Sequence, residues 1–194
     1  TNAIKLALKK SKGSIVCFLD SDDFFKKDKV KKVVNHFLLS NRSNILFDKP
    51  FLYFKKDKIF KSRLSYFSRN YKWPKVPPTS CMSFRRKNLM KVINIVFIKR
   101  YQHLWLDFRL ATFFSIKLNQ FNLIDEHLTY YRQNEFSYDK KYKKYFNLMW
   151  WNRREQAFKF LKLLDTKSYR KNIYSIDFLI TKTINKIYNT FKLK

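Results

Sequence analysis

The chain has 194 residues and carries 43 Lys+Arg against 14 Asp+Glu, a formal net charge of +29. That length suits one ordinary domain whose core needs neither disulfides nor metals, and 45% apolar with 19% aromatic residues excludes intrinsic disorder. Its single glycine, Gly13, excludes every glycine-rich phosphate loop, so neither a P-loop nor a dinucleotide-binding fingerprint can be written here.

The elements follow in chain order. Apolar residues at Ala3, Ile4, Ala7 and Leu8 predict a helix over 2–10, and Ser11 to Ser14 around Gly13 predicts its stop. Ile15 to Leu19 is a continuous apolar run, the pattern of a strand buried on both faces. It ends at once in Asp20-Ser21-Asp22-Asp23, and Val30, Val33, Val34, Phe37 and Leu38 then predict a helix over 28–39. A helix–strand–acidic turn–helix unit implies a parallel α/β sheet with a site at the strand's carboxyl end.

Beyond it the pattern turns β-like. Ile45–Phe47, Phe51–Phe54 and Ile59–Tyr66 are short strand-like runs, and Tyr71–Pro78 reads as a loop through Pro74, Pro77 and Pro78. A strand over 80–84, a short helix from Arg86, a helix over 104–118 and strand-like runs at 121–124 and 128–132 follow, then two basic helices over roughly 140–164 and 172–191. Cys17 and Cys81 each sit in an apolar run and read as buried thiols of a reducing compartment. His36, His103 and His127 share no metal-ligand spacing.

So strong a positive charge invites a nucleic-acid reading through counterion release. The lysines are instead spread along the whole chain, and Lys, Asn, Ile, Phe and Tyr are all abundant, as in an AT-rich coding sequence. No stripe or arm gathers them into a specific nucleic-acid surface. The expected partners are anionic: membrane headgroups or sugar nucleotides.

Asp20, Asp22 and Asp23 are the informative exception. Three carboxylates in one bend repel and raise at least one pKa unless a cation lies between them. Mg²⁺ or Mn²⁺ resolves that, binding one or two carboxylates together with waters and a substrate phosphate. The competing reading is helix capping near Asp28, for which one aspartate suffices.

The segment from Asn2-Ala3-Ile4 through Gly13 to Asp20-Ser21-Asp22-Asp23-Phe24 resembles the centre of family 2 inverting glycosyltransferases of the GT-A fold. There a helix leads through a lone glycine to a strand ending in a DxD motif. The likeness continues at Thr79-Ser80-Cys81-Met82-Ser83-Phe84-Arg85-Arg86 and Trp105-Leu106-Asp107-Phe108-Arg109-Leu110, and closes at Leu128-Thr129-Tyr130-Tyr131-Arg132-Gln133-Asn134 with Ser137. It covers about residues 1–140 as a glycosyltransferase domain and leaves 141–194 as a basic helical extension. The implied fold is α/β, a GT-A-like mixed sheet flanked by helices.

The resemblance also implies residue roles. Asp20 and Asp22 match the DxD pair, which contacts the ribose and the metal-bridged diphosphate, and Asp23 shares the metal with Asp22. Asp107 matches the catalytic base, although Leu106 replaces the usual glutamate; the competing reading pairs Asp107 with Arg109 or Lys117. Arg132 matches a Tyr-Arg segment and would clamp the diphosphate, while Asn134 stands where the family often has histidine. Trp73 and Trp105 are read as core, with sugar stacking as the alternative. The implied partners are a nucleotide-sugar donor and a saccharide or lipid-linked acceptor, in polysaccharide synthesis on the cytoplasmic side of a membrane.

Complete family members begin with strands that bind the base, and none precedes Thr1; the expectation is a truncated chain that turns over poorly alone. Ile173, Ile176, Ile180, Ile184, Ile187 and Phe191 form a helical apolar stripe with lysines elsewhere, so residues 172–192 are expected either to meet an anionic membrane or to pack on the domain. The rival to the enzyme is a non-catalytic basic module that binds nucleic acid or membrane.

Overall fold

The computed structural model describes residues 2–54, 58–62, 75–133, 147–164 and 176–192. The expectations for Tyr66, Trp73, Pro74, Asn134, Ser137 and the helical stretches 140–146 and 172–175 lie outside these residues. The chain divides into two compact units, Thr1–Ile98 with Leu106–Asn134, and Lys99–Trp105 with Glu135–Lys194.

The first unit is built on one sheet. Helix α1 (Asn2–Lys10) leads into β1 (Ile15–Cys17); after the acidic turn come β2 (Phe24–Phe25) and α2 (Lys29–Leu39). Strands β3 (Ile45–Tyr53) and β4 (Ile59–Lys61) follow, then a short 3-10 turn (Thr79–Cys81), β5 (Met82–Arg85) and α3 (Arg86–Val96). Helix α4 (Leu106–Thr112) widens into a π-helical turn (Phe113–Lys117), and β6 (Asn122–Arg132) closes the unit.

The strand order is β1-β5-β3-β6-β2, with β4 on β3. Among the described residues only β3 and β6 run parallel, whereas β1–β5, β3–β5, β3–β4 and β2–β6 are antiparallel. This corrects the parallel sheet read from the first helix–strand–helix unit: the neighbour of β1 is β5, which arrives from far along the chain in the opposite sense. The mixed sheet flanked by helices is the GT-A-like architecture.

Two strands are longer than their apolar runs suggest. Asp48-Lys49-Pro50 interrupts β3, and the register against β6 shifts between Phe47 and Lys49 and again between Lys49 and Pro50. Proline lacks a ladder donor, and an irregularity is where a strand tolerates one. Opposite it, Asp125-Glu126-His127 joins the two halves of β6, with Lys49 paired to Asp125 and Lys32 to Glu126.

Helices cover both faces of the sheet. Val33 and Phe37 of α2 pack with Leu46, Ile124 and Leu128, and Ile15 and Cys17 of β1 lie partly against them. On the opposite face Phe84 meets Phe18 edge-on at 5.4 Å and Phe114 at 5.4 Å. The fully buried strand expected over 15–19 is only half-buried in β1.

The adjacent arginines at the junction of β5 and α3 serve helix ends. Arg85 donates from Nε to the Ser43 carbonyl at 2.9 Å and from Nη2 to Phe37 and Ser40 carbonyls at 2.5 and 3.1 Å. A cation among the last carbonyls of α2 offsets the negative end of that helix. Arg86 reaches Ser11 Oγ at 3.1 Å at the end of α1. Gly13 has no positive φ; α1 is closed by Ser11, whose hydroxyl donates to the Leu8 carbonyl at 2.8 Å, rather than by a left-handed glycine.

The second unit contains α5 (Leu148–Leu163) and α6 (Ile176–Lys192). Asn147 caps α5 by accepting the Met149 amide at 2.9 Å. Tyr101 packs on Phe160 at 5.2 Å, and the His103 amide donates to Gln156 at 2.9 Å. The Arg153 guanidinium lies 3.1 Å from the Trp105 ring centroid, which gives Trp105 a packing partner within this unit.

Candidate active site

The acidic turn is held from both sides. Before it, the Phe18 amide donates to the Met82 carbonyl at 3.0 Å and the Asp20 amide to Ser80 Oγ at 2.9 Å. The Asp23 amide closes the turn on the Asp20 carbonyl at 3.1 Å. After it, β2 pairs Phe24 with Tyr130 and Phe25 with Thr129, a two-residue strand that the sequence pattern does not announce. The Arg132 amide donates to Asp23 Oδ1 at 2.8 Å, and Arg132 Nε to the Asp22 carbonyl at 2.9 Å. Asp20, Asp22, Asp23 and Arg132 therefore meet beside the carboxyl end of β6, where open α/β sheets place ligands.

None of these three carboxylates caps α2, which begins at Lys29. Asp28 takes the capping position, makes no side-chain cap bond, and pairs with Lys26 at 3.6 Å and Lys32 at 3.1 Å. Capping does not account for the cluster.

Its electrostatics are strained. The surrounding protein raises the Asp20 pKa although part of the side chain stays exposed, and Asp23 and Asp22 add repulsion. Burial likewise raises Asp23, while the Ser80 hydroxyl and the Arg132 amide pull it back. Asp23 is 8% exposed, and its Oδ2 is buried without a hydrogen bond of its own. Among the described residues no three His, Cys, Asp or Glu side chains form a ready cation cage. One unsatisfied buried oxygen beside two repelling carboxylates fits a hard ion that takes one or two protein ligands and fills its shell with water and phosphate.

Beneath the turn lies a charged network that sequence reasoning missed. Lys29 is fully buried and pairs with Asp48 at 2.7 Å. Its ammonium also donates to the Ser80 carbonyl and to Thr129 Oγ1, both at 2.6 Å, and sits 4.1 Å from the Phe25 ring centroid. Thr129 Oγ1 donates to Asp48 Oδ1 at 2.6 Å. Burial pushes Asp48 up and Lys29 opposes it; burial also pushes the adjacent Cys81 thiol well above its ordinary value. Ser80 joins the two layers, its carbonyl on Lys29 and its hydroxyl on the Asp20 amide. The interruption at Asp48-Lys49 between the apolar runs of β3 was the available signal.

Ser80→Ala removes the acceptor of the part-buried Asp20 amide, a loss of about 0.5–1.5 kcal/mol. The expected result is a lower urea midpoint, equivalent to that loss of unfolding free energy, largely restored by Ser80→Thr. An unchanged midpoint would show that the Ser80 hydroxyl does not hold the turn.

An aromatic row adjoins the turn. Phe51 stacks on Tyr130 at 4.8 Å, Tyr130 on Phe24 at 4.5 Å, and Phe24 meets Tyr53 at 5.6 Å. The Arg132 guanidinium lies 5.2 Å from the Tyr53 ring centroid, so its direction is set by ring and carbonyl together.

Asp107 stands in the first turn of α4, where the helix N-terminus favours an anion. Its Oδ1 accepts the Phe108 amide at 2.6 Å. Arg109 turns inward, donating from Nη1 to the Val96 and Ile98 carbonyls at 2.9 and 3.4 Å. His36 is exposed on α2, and His127 meets the Ser62 carbonyl at 3.2 Å.

Residues 1–94 match the family model described as Glycosyl transferase family 2. The resemblance holds over this stretch. The family 2 match contains the acidic turn, the buried Lys29–Asp48 pair and Ser80. No curated protein matches the chain significantly. Among solved structures, S. aureus TarS superimposes with a TM-score of 0.54 at 14% identity, over 95% of this chain and 41% of that one. A second structure, S. aureus TarS 1-349, gives a TM-score of 0.47 at 14% identity, over 95% and 69%. The chain thus spans well under half of the longer TarS chain, and this similarity shows the GT-A-like fold alone.

Proposed function

We propose that the chain carries the diphosphate-binding and acceptor-activating part of an inverting glycosyltransferase. It moves a sugar from a nucleotide-diphosphate donor to a saccharide or lipid-linked acceptor in the synthesis of a cell-surface polysaccharide. The observation that supports this reading is the gathering of Asp20, Asp22 and Asp23 in one turn, held by Ser80 and Arg132 in a chain of net charge +29, inside the family match.

In this reading Asp20 and Asp22 face the ribose and diphosphate. Asp22 and Oδ2 of Asp23 are the groups that would hold Mg²⁺ or Mn²⁺, which when bound neutralises the departing diphosphate. Arg132, with Nε engaged by the Asp22 carbonyl, meets diphosphate oxygens through its terminal amino groups. Asp107 takes the proton from the acceptor hydroxyl as that oxygen attacks the anomeric carbon.

The test is a titration of the chain with a panel of nucleotide-diphosphate sugars and Mn²⁺, followed by tryptophan fluorescence. Binding is expected to weaken at least about tenfold, roughly 1.4 kcal/mol, in Asp22→Asn and Asp23→Asn. A basic module that only attracts anions would bind as well or more tightly once those charges are gone, and that result would overturn the proposal.

A further inference from the structure

Helix α6 is turned inside out. Its inward face is largely polar: Thr181 and Asn185 are 0% and 2% exposed. Arg154 of α5 donates to Thr181 Oγ1 at 3.2 Å and pairs with Asp177 at 3.3 Å. Asn185 donates to the Trp151 carbonyl at 3.1 Å and to Glu155 at 2.5 Å, and Phe178 supplies an apolar contact to Phe158 at 5.5 Å. The helix is thus fixed to α5 by hydrogen bonds and charge, and these contacts set its orientation.

Of the expected apolar stripe, Ile176, Ile180 and Ile187 face water together with Leu179, whereas Ile184 is half-buried. Ile176, Leu179, Ile180 and Ile187 are 76%, 59%, 46% and 49% exposed. At 100° per residue these four fall on one side of the helix, with Thr183 and Thr190 between them and no charge among them. Lys182 and Lys186 are exposed beside the stripe, and Asp177, the acidic residue of α6, is tied to Arg154. No helix among the described residues is long and apolar enough to cross a membrane.

We propose that the outward stripe of α6 is a docking surface for an anionic phospholipid membrane, on which the helix lies in the plane of the interface. Charge selects this occupant. A second copy of the chain would bring another +29 against the first, and repulsion between like net charges opposes such a pair. An anionic bilayer offers headgroups to Lys182 and Lys186 and an apolar layer to Ile176, Leu179, Ile180 and Ile187, the two attractions that hold an interfacial amphipathic helix. The inference rests on α6 and on the charge of the chain, and is independent of the proposed transfer activity.

Flotation of the whole chain with vesicles tests it. The chain is expected to float with vesicles rich in phosphatidylglycerol and to stay behind with phosphatidylcholine alone. Ile180→Glu with Ile187→Glu is expected to reduce flotation at least about tenfold, since both the apolar area and the charge match are lost. Leu39→Glu, the same change at an 87% exposed residue of the first unit, is expected to leave it intact. Ile187→Trp reads the same contact directly: added emission shifts to the blue on anionic vesicles. Equal flotation of the double variant, or no shift at Ile187→Trp, overturns the proposal. A wild-type dimer that becomes monomeric with Ile187→Glu overturns it in favour of a second copy.

Discussion

Lys29→Met lowers the stability of the first unit by about 3–5 kcal/mol, the usual consequence of leaving a buried charge without its partner. The ammonium is fully buried and contacts Asp48, the Ser80 carbonyl and Thr129 at once. Without it Asp48 must either ionise in a dry site or take up a proton, and burial already pushes its pKa upward. Urea denaturation followed by near-ultraviolet circular dichroism measures the loss. Adding Asp48→Leu is expected to recover most of it, because paired apolar residues replace a buried ion pair at little cost. Thr129 Oγ1 also remains within 3.3 Å of the Ser80 carbonyl to satisfy it. A single variant as stable as the wild type would show that the pair carries little of the fold. A double variant as unstable as the single would show that the charge itself, not its pairing, is what the fold requires.

Asp107→Asn is expected to lower turnover by roughly 10²–10⁴-fold, the range for a positioned general base, while donor binding stays within about twofold. The contrast is with Asp22→Asn, which acts on the donor and so changes binding as well. The measurement is single-turnover transfer on the shortest form of the protein that turns over a nucleotide sugar, with binding measured on the same sample. Asparagine keeps the shape and can still accept the Phe108 amide, which Asp107 Oδ1 does at 2.6 Å, so a loss of turnover reports the missing base rather than a broken helix. Unchanged turnover removes Asp107 from the chemistry and leaves it as a helix-start anion. Asp107 and the acidic turn belong to different elements, so this variant and Asp22→Asn can fail separately.

The acidic turn and the buried pair form two layers joined by Ser80. In the proposed function Asp20, Asp22, Asp23 and Arg132 are the surface for an anionic ligand; Ser80 links that turn to Lys29, Asp48 and Thr129. A turn of mutually repelling carboxylates needs such a foundation, because its own charges push it apart.

The sequence by itself determined what local periodicity and local chemistry can determine. α1, α2 and α3, the strand before the acidic turn and the turn itself were legible because each is announced by residues adjacent in the chain. The motif blocks were legible for the same reason, and they sufficed to indicate a GT-A-like fold and the family match over residues 1–94. Tertiary structure decided the rest. The sense of β1 depended on β5, a partner remote in sequence, so a local reading returned a parallel sheet where the pairing is antiparallel. Lys29 carries no local signal of its burial, because Thr129, one of its acceptors, lies 100 residues away. The stripe of α6 was visible as a period, but a period cannot say which side faces water; Arg154 and Glu155 of α5 decide that by holding Asp177 and Asn185. Hydrophobic spacing encodes that a face exists, whereas the partners that turn it inward or outward come together only when distant segments pack.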